Sequence, residues 1–366
     1  MKIVIAVDSF KGSLSSNDAG RIISDAARKI FPDAVLKIYP VADGGEGTID
    51  SLVHGLNGKI IDVDVTNPLG DKISSRYGLI NDLAVIEMAE CSGLTLVPID
   101  KRNPLNTTTF GLGEIILDAV KNSARKFLIG IGGSATNDCG IGMLSALSHG
   151  KILFGKDLEN VEPNFDLDPV LKQCEFKIAC DVDNPLTGEN GCSAVYGPQK
   201  GATPEIVQTM DLWIKNFADK ITTDSKSGDG AAGGLGFAFR TFLNAELIPG
   251  IDLVLDTIGI DQDLSDADLV VTGEGMIDFQ TSRGKAPVGI ARRAKKLNPN
   301  AIVTAFCGSA GKNSEAVNSN GIDAFFPILR TVDTLENVMK KNTAEKNLFS
   351  TAEQVFRLIS VSMNRR

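Results

Sequence analysis

Histidine and aromatic residues are scarce in this chain: its 366 residues include two histidines and one tryptophan, and aromatic residues make up 6%. Neither His54 nor His149 has the sequence context of a nucleophile–histidine pair, so a hydrolase triad is not predicted. Paired carboxylates would suit a glycosidase. However, so few aromatic rings leave a sugar little surface on which to stack, and we set that class aside.

Cysteine pairs, basic runs and long apolar runs are also missing. The six cysteines form no CxxC pair and no cluster with histidine, which argues against a zinc site and a disulfide framework and predicts reduced thiols. The net charge of −9, without a run of lysine or arginine, argues against nucleic acid and anionic membranes as partners. The apolar run at residues 2–7 is too short for a signal sequence, and no later run reaches transmembrane length. The sequence therefore predicts a soluble cytoplasmic protein with small-molecule partners, either a monomer or a homodimer.

Glycine, by contrast, is abundant and clustered. The chain has 37 glycines, about a tenth of its residues against roughly 7% in an average protein. Clustered glycines are typical of loops in which the backbone must approach a ligand closely.

The order of predicted strands and helices indicates an α/β protein with two domains. Two strand–loop–helix units begin the chain, a meander of short strands follows from residue 59, and strand–helix alternation returns after residue 267. We therefore predict a discontinuous flavodoxin-like or Rossmann-like domain into which a second α/β domain is inserted. The predicted domains are residues 1–66 with 262–366, and the inserted residues 67–261.

Three segments of the sequence partly match known nucleotide-binding motifs. Residues 308–313 (GSAGKN) resemble a P-loop but lack the spacing and the serine or threonine that binds Mg²⁺. Residues 228–233 match a dinucleotide fingerprint but do not follow a predicted strand. Residues 130–135 (GIGGSA) do follow one, with Asp157 at the distance of a ribose ligand. An NAD-dependent oxidoreductase of a small hydroxy acid is therefore one alternative.

The polar residues at predicted strand ends are those that phosphoryl transfer needs. Such a reaction uses backbone N–H groups for phosphates, carboxylates for Mg²⁺, a cation and a base. Open α/β sheets bind ligands at the carboxyl ends of their strands. The candidates are Gly132, Gly133 and Ser134 as donors, the acids Asp8, Asp43, Glu46, Asp181, Asp183, Glu274 and Asp278, and the cations Lys11, Lys200, Arg283 and Lys285.

Six segments together resemble one family, the type I glycerate kinases. They are residues 5–14 (IAVDSFKGSL), 42–48 (ADGGEGT), 130–142 (GIGGSATNDCGIG), 180–203 (CDVDNPLTGENGCSAVYGPQKGAT), 231–236 (AAGGLG) and 272–286 (TGEGMIDFQTSRGKA). The resemblance covers nearly the whole chain in order. It implies phosphorylation of D-glycerate by ATP with Mg²⁺, giving 2-phosphoglycerate, and a two-domain fold with a discontinuous flavodoxin-like part. A regulator that binds ligands on the same scaffold without turnover is a further alternative.

From this resemblance we form a hypothesis for the site, which we expect between the two domains. Asp181 and Asp183 are the Mg²⁺ ligand and the general base, in an order left open. The other assigned residues are Gly132, Gly133, Ser134 and Asn137 for the nucleotide phosphates, Lys11 and Lys200 for the transferring group, Arg283 and Lys285 for the glycerate carboxylate, and Asp43 and Glu46 for the polar wall.

Four positions depart from the pattern expected of that family. Val7 replaces a proline and Cys139 replaces a glycine. Met276 replaces the arginine expected in TGEGR, and Arg283 stands where histidine is common. If the missing arginine binds substrate, we expect Arg283 to compensate for it.

Overall fold

The structure is a computed structural model and describes residues 1–363. Its strands are β1 (Lys2–Val7), β2 (Val35–Pro40), β3 (Lys59–Thr66), β4 (Lys72–Ile80), β5 (Leu83–Glu87), β6 (Lys126–Gly130), β7 (Glu175–Ala179), β8 (Glu246–Ile248), β9 (Leu269–Ile277), β10 (Ile302–Ala310) and β11 (Ala324–Pro327). Its α-helices are α1 (Ser16–Ile30), α2 (Thr48–Gly55), α3 (Ala89–Ser92), α4 (Phe110–Lys121), α5 (Ile141–Leu147), α6 (Cys192–Tyr196), α7 (Pro204–Asp219), α8 (Ala231–Leu243), α9 (Gly250–Ile258), α10 (Asp261–Leu264), α11 (Ala286–Leu297), α12 (Leu335–Met339) and α13 (Lys341–Met363).

The chain forms two compact units, and the first is discontinuous. It consists of Met1–Asp43 and the residues from Val254 onward, and the second unit is Gly44–Leu253. The predicted domain boundaries lie at residues 66 and 262. Residues 59–66 are β3, which pairs along its whole length with β4 and so belongs to the second unit. The domain boundaries themselves stay a prediction.

The first unit is built on five parallel strands in the order β11-β10-β9-β1-β2. Numbered by their sequence within the unit, the strands read 5-4-3-1-2, which is the flavodoxin-like order. Helices α1 and α13 cover one face, with Ile5, Ile23 and Phe356 in its core. Val4 and Val270 occupy the alternate strand positions, which face the other side of the sheet, and they are also fully buried. Helix α11 packs against β9. Helices therefore cover both faces, as the α/β prediction requires.

Helix α1 shows why the first unit folds locally as the sequence predicts. The Ser15 hydroxyl accepts a hydrogen bond from the Asp18 N–H at 3.1 Å and caps the helix. Ala19, Ile23 and Ala27 recur with the period of a helix and are fully buried. The helix thus begins at a capping residue and buries one apolar stripe on the sheet.

The second unit is built on six strands in the order β3-β4-β5-β6-β7-β8. Strands β3, β4 and β5 are antiparallel, whereas β5 to β8 are parallel. The rings of Phe127 and Phe176, on neighbouring strands, stack with centroids 4.7 Å apart. Because β5 to β8 are parallel, the carboxyl ends of these four strands lie along one edge of the sheet.

Among residues 1–363, no helix has both the length and the apolar character needed to cross a membrane.

Candidate active site

In the first unit, the polar residues after β1 and β9 meet at one point of the sheet edge. These two strands are neighbours in the sheet but not in the sequence, so the strand order reverses between them. Ligands of open α/β sheets bind at such a reversal, outside the carboxyl ends of the strands. Asp8 directly follows β1, and Glu274 lies near the end of β9 with 7% of its surface exposed. The fold therefore places two buried carboxylates where a ligand is expected.

The surroundings of Asp8 and Glu274 weaken their acidity. Burial, with the nearby charge of Asp43, raises the pKa of Asp8 to about 7, although the Ser9 N–H donates to its carboxylate at 2.6 Å. Burial likewise raises the pKa of Glu274 to about 7, against the hydrogen bond that the Thr281 hydroxyl donates to it at 2.5 Å and the charge of Lys285. A cation bound beside these carboxylates would favour their charged forms.

This donor set fits Mg²⁺ bound together with phosphate. Mg²⁺ usually binds through one or two carboxylates, several waters and the phosphate oxygens of a substrate. The described residues contain no group of three or more histidine, cysteine, aspartate or glutamate side chains that could hold a metal ion by themselves. Asp8 and Glu274 would supply the protein's share of such a site.

A cavity of about 380 Å³ opens beside these two acids. Of the residues predicted from the sequence, Lys11, Asp43 and Lys285 lie on its wall. Met276, which stands where an arginine is expected, also lines it and is half exposed. The remaining wall is Ser9, Phe10, Ser13, Gly275, Asp278, Gln280, Gly308, Ser309, Ile328, Leu329, Leu335, Val338, Met339, Ala344 and Asn347.

Arg283 lies outside this wall. Its guanidinium sits over the ring of Phe279, 4.5 Å from the ring centroid, on an exposed turn. Arginine commonly stacks on an aromatic face in this way. The compensation of Met276 by Arg283 stays a prediction.

In the second unit, the loops that follow β6 and β7 meet the loop of residues 44–47. A side-chain carbon added at Gly130, the last residue of β6, would lie 1.9 Å from the carbonyl oxygen of Gly44. Gly44 itself has a φ of +86°, and a carbon added there would lie 2.5 Å from the Ala179 Cβ. Only glycine allows these backbones to approach so closely. The structure thereby brings the loop of Glu46, which is exposed, to the edge formed by β6 and β7.

The loop after β6 presents exposed glycines above a buried lysine. Gly132 and Gly133 are exposed, whereas Ser134 is buried. Lys200 is 2% exposed, and its ammonium donates to the Ser134 hydroxyl at 2.7 Å and to the Thr136 carbonyl at 2.6 Å. Burial lowers the pKa of Lys200 to about 8. The lysine therefore fixes the loop from within, while the glycine backbone faces outward.

Two neighbouring residues complete this loop. The buried Asn137 amide donates to the Ser193 hydroxyl at 2.8 Å, and its Oδ1 has no hydrogen-bond partner. The Asp138 carboxylate accepts from the N–H and hydroxyl of Thr109 at 2.9 and 2.8 Å and from the N–H of Gly140 at 3.2 Å. Burial raises the pKa of Asp138. Asp138 has no role among the residues predicted from the sequence, although an acid inside a glycine-rich loop is a visible signal.

Glu87 is a second buried acid that is not among the residues predicted from the sequence. It ends β5, is 4% exposed, and accepts a hydrogen bond from the Ile49 N–H in the first turn of α2 at 2.8 Å. Burial raises the pKa of Glu87 to about 7. The carboxylate anchors the helix that follows the 44–47 loop. In the sequence, the feature that could have indicated Glu87 is an acid at the end of an apolar strand.

Asp181 and Asp183 lie on the exposed loop after β7. The Asp181 carboxylate accepts a hydrogen bond from the Gly250 N–H at 2.8 Å. Their predicted roles, one as base and one as metal ligand, stay predictions, and Asp8 with Glu274 is a second candidate pair for the metal.

The loop of residues 130–135 does not have the geometry of a dinucleotide-binding site. In that motif a helix starts within the glycine-rich turn, whereas α5 starts only at Ile141. Asp157, the predicted ribose ligand, accepts a hydrogen bond from the Phe154 N–H at 2.7 Å and closes its own turn. The oxidoreductase alternative loses its structural basis.

Comparison with known proteins decides the family. The sequence model of the glycerate kinase family matches residues 3–360. The chain belongs to the glycerate kinase family. It is similar to the glycerate kinases of Haemophilus influenzae (45% identical, covering 98% of this chain and 99% of the relative) and Bacillus subtilis (46%, 93% of each). It is also similar to the glycerate 2-kinase of Escherichia coli (42%, 99% of each).

The structure agrees with this family. The crystal structure of a candidate glycerate kinase 2 from Salmonella typhimurium LT2 superposes with a TM-score of 0.89 at 42% identity, covering 100% of this chain and 99% of that one. The family and the α/β fold predicted from the sequence are confirmed, as is the predicted class of enzyme, a kinase of the glycerate kinase family.

Proposed function

We propose that this chain transfers the terminal phosphoryl group of ATP to D-glycerate, with Mg²⁺, and yields 2-phosphoglycerate. The observation that carries the proposal is the cavity of the first unit, where Lys11, Lys285 and two buried carboxylates surround a space of about 380 Å³. Relatives named glycerate kinase or glycerate 2-kinase, at 42–46% identity, support the choice of acceptor.

The residues of the cavity suit phosphoryl transfer because the reaction depends on positioning and charge neutralisation. Asp8 and Glu274 would hold Mg²⁺, which supplies positive charge to the phosphate oxygens when bound. Lys11 adds a second cation at the same wall. Lys285, beside Glu274, stays our candidate for the glycerate carboxylate.

The second unit contributes the remaining proposed roles. Gly132 and Gly133 expose backbone that can contact phosphate oxygens, and Asp181 or Asp183 accepts the proton of the glycerate hydroxyl. That residues of both sheet edges serve one reaction, as expected from the family resemblance, stays a prediction.

A coupled assay of ADP release tests the proposal. With Mg²⁺ and ATP present, we expect ADP release that depends on D-glycerate and is at least tenfold slower with lactate or tartronate. Absorbance changes with NAD(H) and hydroxy acids would favour an oxidoreductase instead. Tight binding of glycerate without any ADP release would favour a regulator that kept the scaffold.

The proposed base is tested by substitution. Replacing Asp181 or Asp183 by asparagine should lower kcat by about 10²- to 10⁴-fold at the residue that accepts the proton. Glu189→Gln, an exposed acid on the following turn, is the matched control and should change kcat less than twofold. Near-normal kcat in both aspartate variants would exclude this loop as the source of the base.

A further inference from the structure

The wall of the cavity in the first unit carries two chemically different sets of residues. The polar set is the acids and lysines described above. The apolar set, which we call the apolar wall, comes from Phe10 and from the segment that runs from the end of β11 through α12. Its side chains are Phe10, Ile328, Leu329, Leu335, Val338 and Met339.

Packing holds this apolar wall in place. A side-chain carbon added at Gly12 would lie 3.0 Å from the Met339 Cε, so α12 stands against the loop that follows β1. The Lys341 ammonium at the start of α13 pairs with the Asp18 carboxylate of α1 at 2.8 Å. The wall nevertheless leaves apolar surface uncovered: Leu335 is 75% exposed and Leu329 is 47% exposed.

We propose that this apolar wall seats the base of a purine nucleotide whose Mg²⁺-bound phosphates reach the acids of the same cavity. The inference rests on the proposed function and deepens it, because the sequence patterns give no location for the base. A purine ring gains affinity from apolar surface that it removes from water. D-glycerate, a three-carbon acid with two hydroxyl groups, has almost no such surface to bury.

The size of the cavity favours the same ligand. About 380 Å³ falls within the range of roughly 300–1,000 Å³ that is typical of ligand pockets and far exceeds the needs of a three-carbon acid. Asn347 and Ser309, which also line the cavity, supply polar groups of the kind that a purine edge can hydrogen-bond.

The charged residues of the cavity favour a nucleotide bound with its metal over a nucleotide without one. Asp8, Asp43, Glu274 and Asp278 line the cavity together with two lysines. Four acids outnumber the two lysines and disfavour a polyphosphate that brings no cation, whereas Mg²⁺ on a nucleotide offsets their charge. A magnesium–purine nucleotide suits both the polar and the apolar residues of the cavity.

Binding measurements without glycerate test the seat separately from catalysis. The test variant is Leu329→Gln with Leu335→Gln, which makes the wall polar without adding charge. The matched control is Val332→Gln, a fully exposed residue of the same segment that does not line the cavity. Titration calorimetry would give the Kd of each protein for MgADP and for magnesium tripolyphosphate, which has no base.

We expect the double variant to raise the Kd for MgADP about tenfold and to change the Kd for magnesium tripolyphosphate less than twofold. Val332→Gln should change neither Kd more than twofold. An unchanged Kd for MgADP, or an equal loss for both ligands, would overturn the proposed seat. Because both leucines are exposed we expect the variant to fold, and Leu335→Gln alone gives the same comparison if it does not.

The outcome also separates this inference from the proposed function. ADP release with D-glycerate, combined with an unchanged Kd for MgADP in the double variant, would reject the proposed seat for the base and leave the proposed function standing. A base-dependent loss of MgADP affinity without glycerate turnover would support the seat and reject the acceptor.

Discussion

Lys200 is an ionisable side chain that the fold keeps from water. Its ammonium replaces hydration with two hydrogen bonds to the loop after β6. This contact explains why a lysine in the segment GPQK can matter for a glycine-rich loop more than 60 residues away in the sequence. It also means that the lysine is buried at a cost to its charged form.

The lowered pKa of Lys200 predicts a pH-dependent stability. Its pKa is about 8 in the folded protein and 10.5 ordinarily, so the unfolded chain binds more protons between these values. The free energy of unfolding relative to Lys200→Met should therefore rise with pH, by about 2 kcal/mol from pH 8 to pH 10. Urea denaturation at both pH values measures it. Lys151→Met, at an exposed position, should show no such trend, and a flat difference for Lys200→Met would refute the buried charge.

At single positions, the sequence indicates which residues are polar at strand ends but not what each side chain contacts. Asp43, Lys11 and Lys285 lie on the wall of one cavity, where their residue types and strand-end positions suggested a ligand. Arg283 stacks on Phe279 instead, because an aromatic neighbour in its own turn competes for the guanidinium. Asp138 was not assigned because its partners, including Thr109, come from a distant segment. The chemical roles of all these residues stay predictions.

At the scale of elements, the local periodicity of apolar residues predicts several helices and strands of this chain. Helix α1 and the strands β1 and β2 lie where their apolar patterns predict them. The parallel pairing of β5 with β6 could not be predicted, because it joins the meander to later strands through contacts that no local pattern records. The same limit applies inside α8, where Ala232, Gly233 and Gly234 adopt left-handed backbone and the two glycines lie against the loop after β6.

The crossing of the 44–47 loop over the end of β6 gives a prediction at this scale. Gly130→Ala places a methyl group 1.9 Å from the Gly44 carbonyl oxygen, so backbone must shift. We expect this variant to lose roughly 1–3 kcal/mol of unfolding free energy, as overpacking and strain do. At Gly132, two residues on, an added methyl group meets nothing within 4 Å. Gly132→Ala should therefore stay within about 0.5 kcal/mol of the parent in thermal or urea denaturation. Equal stability of the two variants would contradict the crossing.

At the scale of the whole molecule, two sheets each offer a carboxyl edge lined with polar loops. Relatives of the glycerate kinase family align with nearly the full length of both units. The sequence could predict a discontinuous α/β unit because strand–helix alternation stops and returns. It could not locate the nucleotide, since the residues that we propose for its phosphates, base and metal form no single continuous motif.

Direct identification of the product tests the central claim. Phosphorus NMR of the protein with MgATP and D-glycerate should show one new phosphomonoester resonance, that of 2-phosphoglycerate, growing in equal amount with ADP. A 3-phosphoglycerate resonance would contradict the proposed position of transfer. ATP that persists unchanged, in a sample where MgADP binding proves the protein folded, would contradict the proposed reaction.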